Sequence, residues 1–410
     1  MCLCDKLFCL HDGRVWNASP ARYQGMTEAA AQRGDFIVEG HRLSFATTGP
    51  RALDRLCGLI DGARSELLLL YYIFAADAVG HRVRDAIGNA RQRGVDVSLI
   101  IDDFGSEDTP ESFFAPLAES GVQVCRFHPR LGRRYLLRNH QKVAIADASR
   151  AIIGGFNVED EYFMPDHPES WHDYGVEVEG PSIAHLADYY RALFRWSGDP
   201  RGSMRTIRKL VQSSSQTRGA VRWLIGGPTL RPSGLVRTLK SDFQGARDLM
   251  MSMAYFAPNP GFLRRLGRIG ERGAATVVTA ARSDNNVTID AARHCYRRLL
   301  RRGVKIYEYG KQRLHAKLIV ADDITYIGSA NFDVRSLYLN MELMLRVDDP
   351  AFAGEIRSRI AEDIAVSERI DRARYRQMSN WWRKLKWTIA YFIVAILDFN
   401  VARRLNLGND

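Results

Sequence analysis

Two short runs of this sequence place the same reactive side chains at the same spacing. Asn139-His140-Gln141-Lys142 opens a run ending at Asp147, and Leu314-His315-Ala316-Lys317 opens one ending at Asp322; both read H-x-K-x4-D. Each is answered further on, by Gly154-Gly155-Phe156-Asn157 and by Gly328-Ser329-Ala330-Asn331. One such motif arises easily by chance; two with the same follower do not. Two imidazoles and two ammonium groups around one anion suit phosphodiester exchange. One histidine attacks phosphorus and forms a covalent intermediate. The other protonates the departing alkoxide, then deprotonates the incoming hydroxyl. Lys142 and Lys317 neutralise the non-bridging oxygens. Asn157 and Asn331, with the nearby backbone at Gly155 and Ser329, are expected to add phosphate-binding donors. This chemistry requires no metal and no cofactor, and the sequence carries no convincing metal-ligand cluster.

The candidate catalytic set comprises His140, Lys142, Asp147, His315, Lys317 and Asp322. His and Lys at i and i+2 point to one face of a strand, and Val143-Ala144-Ile145-Ala146 and Leu318-Ile319-Val320-Ala321 continue as strands should. Asp147 and Asp322 fall on the opposite alternation and are expected to hold a turn. A reacting histidine needs an acceptor on its far nitrogen to fix the tautomer. Asp173, in Trp171-His172-Asp173-Tyr174, and Glu342, in Asn340-Met341-Glu342-Leu343, recur at matching places and are expected to orient the histidines.

The elements that must position these groups also repeat. Leu67 to Phe74 is apolar, a basic helical stretch ends in Arg93-Gly94, and Val95 to Ile101 is β-branched. The second half answers with Leu249 to Phe256, a stretch ending in Arg272-Gly273, and Ala274 to Thr279. Gly121-Val122 and Gly303-Val304 each open a further strand. Strands alternating with helices predict an α/β fold of two pseudo-twofold-related α/β/α sandwich domains sharing one central active site. The glycines after the basic helices suit C-caps.

With 410 residues, two to three domains are expected; 46% hydrophobic and 26% charged residues exclude a disordered chain. The expected division is an N-terminal segment 1–37, a first domain 38–200, a linker 201–217, a second domain 218–378 and a C-terminal segment 379–410. The linker is placed on Arg205, Arg208, Lys209 and Ser213-Ser214-Ser215-Gln216. Six cysteines, Cys2, Cys4, Cys9, Cys57, Cys125 and Cys295, match no zinc or disulfide pattern and read as inert thiols. The first ten residues lack the apolar run of a signal peptide.

The paired motif resembles the signature of the phospholipase D superfamily. Asn331-Phe332-Asp333-Val334-Arg335-Ser336-Leu337 with Leu339-Asn340-Met341-Glu342, Tyr174-Gly175-Val176-Glu177-Val178-Glu179-Gly180-Pro181 and Ala254-Tyr255-Phe256-Ala257-Pro258 are similar, more narrowly, to bacterial cardiolipin synthases of the shorter type without N-terminal transmembrane helices. The resemblance covers roughly residues 38 to 400 and implies a transphosphatidylase. Such an enzyme moves a phosphatidyl group from one phosphatidylglycerol to another through a histidine, releasing glycerol. The family pattern implies His140 as nucleophile and His315 as acid/base, an order the motifs alone leave open. A lipid hydrolase or a nuclease of the same superfamily is the alternative. Two departures stand out: five residues separate Asp322 from Gly328 where six separate Asp147 from Gly154, and the run around Leu70 lacks the acid many relatives carry.

A net charge of +11 favours anionic partners. At the C-terminus Trp381-Trp382-Arg383-Lys384-Leu385-Lys386-Trp387 precedes Thr388 to Leu397, an apolar run about half the ~20 residues a spanning helix needs. This predicts an interfacial helix; a helix packed on the protein is the other reading. Arg403 and Arg404 beyond it, and Arg130, Arg133, Arg134 and Arg138 with Tyr135 before the first motif, add basic groups. The expected partners are an anionic phospholipid substrate, phosphatidylglycerol, and a membrane surface, not nucleic acid. The expected location is the cytoplasmic face of the cell inner membrane, peripheral or monotopic; the sequence leaves the oligomeric state open.

Overall fold

Each half of the chain builds one eight-stranded mixed sheet, and the two sheets follow the same plan. A computed structural model describes residues 35–127, 137–165, 167–199 and 201–397. Cys2, Cys4, Cys9, nearly all of the segment 1–37, Arg130, Arg133, Arg134, Tyr135, Arg403 and Arg404 lie outside the described residues. The first half runs β1 (Phe36–Val38), β2 (His41–Thr47), α1 (Pro50–Asp61), β3 (Glu66–Tyr71), α2 (Ala78–Gln92), β4 (Asp96–Asp102), α3 (Glu111–Glu119), β5 (Gln123–Phe127), β6 (Val143–Ala146), β7 (Arg150–Gly154), α4 (Asp160–Phe163), β8 (Trp171–His172), β9 (Tyr174–Glu179) and α5 (Ile183–Gly198). After α6 (Met204–Ser214) the second half runs β10 (Val221–Gly226), α7 (Gly234–Gly245), β11 (Asp248–Met253), β12 (Phe256–Ala257), α8 (Pro260–Arg272), β13 (Ala274–Ala280), α9 (Asn286–Arg301), β14 (Lys305–Tyr309), β15 (Arg313–Leu314), β16 (Lys317–Ala321), β17 (Ile324–Gly328), β18 (Phe332–Asp333), α10 (Val334–Tyr338) and β19 (Glu342–Asp348). The described chain closes with α11 (Pro350–Ala365), β20 (Ser367–Ile370), α12 (Arg372–Met378), α13 (Trp381–Phe392) and a π-helical turn, Ile393–Leu397.

The sheet orders are β1-β2-β9-β7-β6-β3-β4-β5 and β10-β19-β17-β16-β11-β13-β14-β20. Seven strands of each correspond, with β1 added at one edge and β20 at the opposite edge. In both, the consecutive strands around the first crossover helix are parallel and the motif strand is antiparallel to its neighbours. Leu67, Leu68, Leu69 and Leu70 of β3 are all buried, as a strand covered on both faces demands.

One apolar core covers the outer face of the first sheet and another the outer face of the second. A third is continuous between the sheets and contains Leu186 and Tyr190 of α5, Ile207 and Val211 of α6, and Ile356 and Ile360 of α11. The inner helices thus belong to both halves at once. The segment 201–217, read as a linker, is largely helical: Met204, Ile207 and Val211 recur at helical spacing and bury one face of α6, while the basic and serine residues that suggested a linker include its exposed positions. The glycine caps divide. Gly94 ends its helix with φ 89°, the left-handed region that favours glycine. Gly273 has φ −157°; it is needed because a Cβ there would stand 2.0 Å from the Arg247 carbonyl oxygen.

Candidate active site

The two H-x-K runs enter the middle of the molecule on short crossed ladders. Just before β6, the chain at Asn139 pairs in parallel with Met341 of the other half. The His140 amide donates to the Met341 carbonyl at 3.0 Å, and the Met341 amide donates to the Arg138 carbonyl at 2.8 Å. Before β16 the mirror arrangement appears: β15 pairs in parallel with β8, and the His315 amide donates to the His172 carbonyl at 2.8 Å. One residue beyond the pairs Asn139–Met341 and Leu314–His172, each histidine therefore stands opposite an acid of the other half, His140 opposite Glu342 and His315 opposite Asp173.

The side chains follow that exchange. His140 Nδ1 lies 3.1 Å from Glu342 Oε1, and His315 Nδ1 lies 2.5 Å from Asp173 Oδ2. Both acids are fully buried. Each acid thus faces the nitrogen whose tautomer it would fix, and sequence spacing gave no sign that the partners are exchanged between halves. Lys142 and Lys317 are buried, and each ammonium donates to the backbone carbonyl of its own motif histidine. In the first half His140 precedes the regular strand, so the shared face of histidine and lysine comes from the crossed ladder as well as from β6.

Burial sets the electrostatics. It lowers His140 to about 4, with Lys142 adding to the fall and Glu342 opposing it. Burial, then Lys317, Lys142 and His140, hold His315 well below the usual histidine range. Burial brings Lys317 down to about 8 against the pull of Asp173 and Glu342, and it holds Lys142 well below the usual lysine range. Asp173 is pushed up to about 7 by burial, with Lys317 opposing. Four basic groups sharing one desolvated place repel one another, and an anion between them would relieve that repulsion.

Not every candidate residue lies in the reacting cluster. Asp147 and Asp322 sit in the turns after β6 and β16 with φ of 53° and 49°. The Asp147 carboxylate accepts from the Arg64, Ser65 and Glu66 amides, and Asp322 accepts from those of Arg247 and Asp248. They fasten the start of β3 and β11 and lie outside the reacting cluster, as alternation along the strand requires. Ser329 is not turned toward a phosphate: its hydroxyl donates to Glu342 and accepts from the Leu343 amide at 3.0 Å. Gly155 stands in the equivalent place behind Asp173, where a Cβ would come within 2.2 Å of the carboxylate. Asn157 is committed too. Its Oδ1 accepts from the Ile73 amide at 3.2 Å and its Nδ2 donates to the Tyr162 hydroxyl at 3.0 Å. Asn331 keeps a buried Oδ1 with no partner among the described residues. The missing residue before Gly328 is absorbed in the β16–β17 turn, so the follower keeps its place: the Phe332 amide reaches the Tyr255 carbonyl just as Val158 reaches Ile73, both at 3.1 Å.

Four contributors escaped the sequence reading. Tyr162 meets the His315 ring edge-on at 5.2 Å and stacks on Trp171, which packs on His315 from another side. Tyr72 presents its ring to His140 at 5.0 Å. Asp102, pushed up to about 6 by burial, accepts the Asn139 amide at 2.6 Å and so anchors the first motif. Tyr72 lies inside the recognised run Leu67 to Phe74 and Tyr162 shortly after Asn157, but no duplication marks them. Among the described residues no group of three or more His, Cys, Asp and Glu is placed to hold a metal ion.

The family model described as "Cardiolipin synthase, PLD-like domain" matches residues 56–196 and 240–364. The chain belongs to this phospholipase D-like family. Membership makes it an enzyme, a phosphatidyltransferase of the phospholipase D type, and accounts for the duplicated sheet. It is 27% identical over 362 residues to cardiolipin synthase B of Escherichia coli strain K12, covering 86% of this chain and 87% of that protein. It is 28% identical over 340 residues to cardiolipin synthase 1 of Bacillus anthracis, covering 79% of this chain and 66% of that one. The crystal structure of a phosphatidylserine synthase from Haemophilus influenzae superposes with a TM-score of 0.71 at 12% identity, over 88% of this chain and 95% of that one. That likeness carries the two-domain phospholipase D fold. No described helix of this family member is long and apolar enough to cross a membrane.

Proposed function

We propose that this phospholipase D-like enzyme makes cardiolipin by transferring a phosphatidyl group between two phosphatidylglycerol molecules. The observation that carries the reading is the pair of crossed histidine–carboxylate contacts flanked by two buried lysines. In the first step the free Nε2 of His140 attacks phosphorus, the bond from phosphorus to the glycerol oxygen breaks, and His315 gives that oxygen its proton. Burial and the repulsion of Lys317 and Lys142 keep His315 neutral; the bound phosphodiester offsets the repulsion, which lets His315 hold this proton. In the second step His315 takes the proton from a hydroxyl of the second phosphatidylglycerol. That oxygen bonds to phosphorus as the bond to His140 breaks. Lys142 and Lys317 carry the charge on the non-bridging oxygens throughout.

His140 suits the nucleophile's part because its side chain is the more open of the two, 12% exposed against 7% for His315. The enzyme would act as a peripheral protein on the cytoplasmic face of the inner membrane, with anionic phospholipid and not nucleic acid as its substrate. Expression in a bacterial host lacking its own cardiolipin synthases, followed by thin-layer analysis of labelled lipids, tests the reading. Cardiolipin with release of free glycerol is expected. Phosphatidic acid as the sole product would make the protein a hydrolase instead.

A further inference from the structure

Helix α13 has two unlike faces. Trp387, Ala390 and Tyr391 are buried, with Trp387 against Tyr375 and Tyr391 stacked on His294 at 4.6 Å. The Tyr391 hydroxyl also donates to the Pro258 carbonyl at 2.8 Å. On the other side Trp381, Trp382, Leu385, Ile389 and Phe392 are between 45% and 63% exposed. At 100° per residue these five share one stripe, and Lys384 and Lys386 border it on either side.

Beside the stripe is a basin of about 500 Å³, walled by α9, α12 and the start of α13. Arg297 and Arg301 come from α9, Arg376 from α12 and Lys384 from α13, with Tyr375 and Leu300 between them. Among the described residues no carboxylate is paired with any of these four cations, whereas Arg302, Arg374 and Lys386 nearby each have one. Arg372 on the rim is already spent on the Leu300 and Arg301 carbonyls at the end of α9. Four uncompensated cations brought together from three helices repel one another unless an anion sits among them. The basin lies in the outer helical layer of the second half, apart from the paired histidines.

We propose that this basin binds the phosphodiester headgroup of an anionic phospholipid in a bilayer while the apolar stripe of α13 enters the interface beside it. Charge selects the occupant: the basin supplies cations without hydrogen-bond acceptors of matching number, and the adjoining stripe supplies apolar surface that a soluble anion would leave wet. One lipid leaflet meets both needs on the same helix. The site is a second lipid contact, distinct from the catalytic one. It draws on the proposed function only for the choice of lipid, and vesicle binding is read without turnover. Tight binding by a catalytically silent protein would therefore sink the catalytic reading and leave this one standing.

The test is cosedimentation of the full chain with vesicles of dioleoylphosphatidylcholine, with and without dioleoylphosphatidylglycerol. A variant carrying R297Q, R301Q, R376Q and K384Q should bind the anionic vesicles on the order of a thousandfold more weakly and lose the preference for them. W381S with W382S should weaken binding to both kinds of vesicle while keeping the preference. If the fourfold variant melts early, the exposed single changes R376E and K384E replace it, each expected to cost about tenfold on anionic vesicles alone. Binding by the charge variants within twofold of the unaltered chain would overturn the proposal, as would an equal loss on both kinds of vesicle.

Discussion

The two histidine sites are built on one plan and finished differently. His140 faces Glu342, whose carboxylate is also held by the Ser329 hydroxyl. His315 faces Asp173, a shorter acid, with Gly155 behind it and room for nothing larger. One aromatic ring, Tyr72, meets His140, whereas Tyr162 and Trp171 both pack on His315. Duplication explains what the sites share; the differences suit the two roles proposed for them. A nucleophile must reach phosphorus and be reached by substrate, so it keeps exposure and a firmly held acceptor. A proton carrier must keep one orientation through two transfers of opposite sense, and packing on two sides provides that.

The largest effects should come from removing the histidines themselves, and they should differ in kind. His140→Ala should lower turnover by about 10⁴-fold or more and abolish labelling of the protein by radioactive phosphatidylglycerol. His315→Ala should cost about 10²–10⁴-fold on phosphatidylglycerol yet recover much of the loss on a substrate with a nitrophenolate leaving group, which departs without a proton. Labelling lost with His315→Ala and kept with His140→Ala would reverse the assignment.

Next come the acids, where the crossing itself is at stake. Glu342→Gln should impair the function of His140, and Asp173→Asn that of His315, each by about 10–100-fold. Asp173→Asn should therefore be rescued in part by the nitrophenyl substrate and Glu342→Gln should not. The opposite pattern would mean that each acid serves its own half.

What the sequence could and could not disclose follows from how far each cause reaches. His140, Lys142, His315 and Lys317 were legible because duplication separates signal from chance, and the strand–helix alternation was legible because periodicity is local. The exchange of acids was not, since no local pattern near Asp173 or Glu342 names a partner more than a hundred residues away. Helix α6 was missed because Ser213, Ser214 and Ser215 outweighed the apolar spacing of Met204, Ile207 and Val211. The tail was half read: its aromatic and basic residues do form an exposed stripe, but its inner face is packed on α9, so its deletion would open the core and could not test membrane contact.

A pH profile sharpens the comparison by a smaller amount. Deprotonating Lys317 removes a positive charge from the phosphate site, so kcat/KM should fall as pH rises through about 8. Protonating His140 removes the nucleophile, so it should also fall as pH drops toward about 4. Initial rates on detergent-dispersed substrate across this range read both limbs. Lys317→Arg stays charged throughout, and whatever activity it retains should lose the alkaline limb. A limb unmoved by that change would belong to another group, with Lys142 the first to examine.

The smallest expected effect tests the detail that most cleanly separates the two sites. Ser329 gives Glu342 a second hydrogen bond, and Asp173 has no hydroxyl in that place. Ser329→Ala removes the bond and leaves the Leu343 amide without its side-chain acceptor, a loss of about 1–2 kcal/mol of stability. Turnover should drop only a few-fold, because His140 still holds one edge of Glu342. Gly155→Ala changes the equivalent place by one methyl group, yet it would push a carbon onto the Asp173 carboxylate at 2.2 Å. The carboxylate has to move, His315 moves with it, and the activity lost should exceed that of Ser329→Ala by at least about tenfold. Activity and melting temperature measured on both variants decide the matter. If the two substitutions cost the same, the glycine and serine are interchangeable spacers, and the difference between the sites lies in the aromatic rings alone.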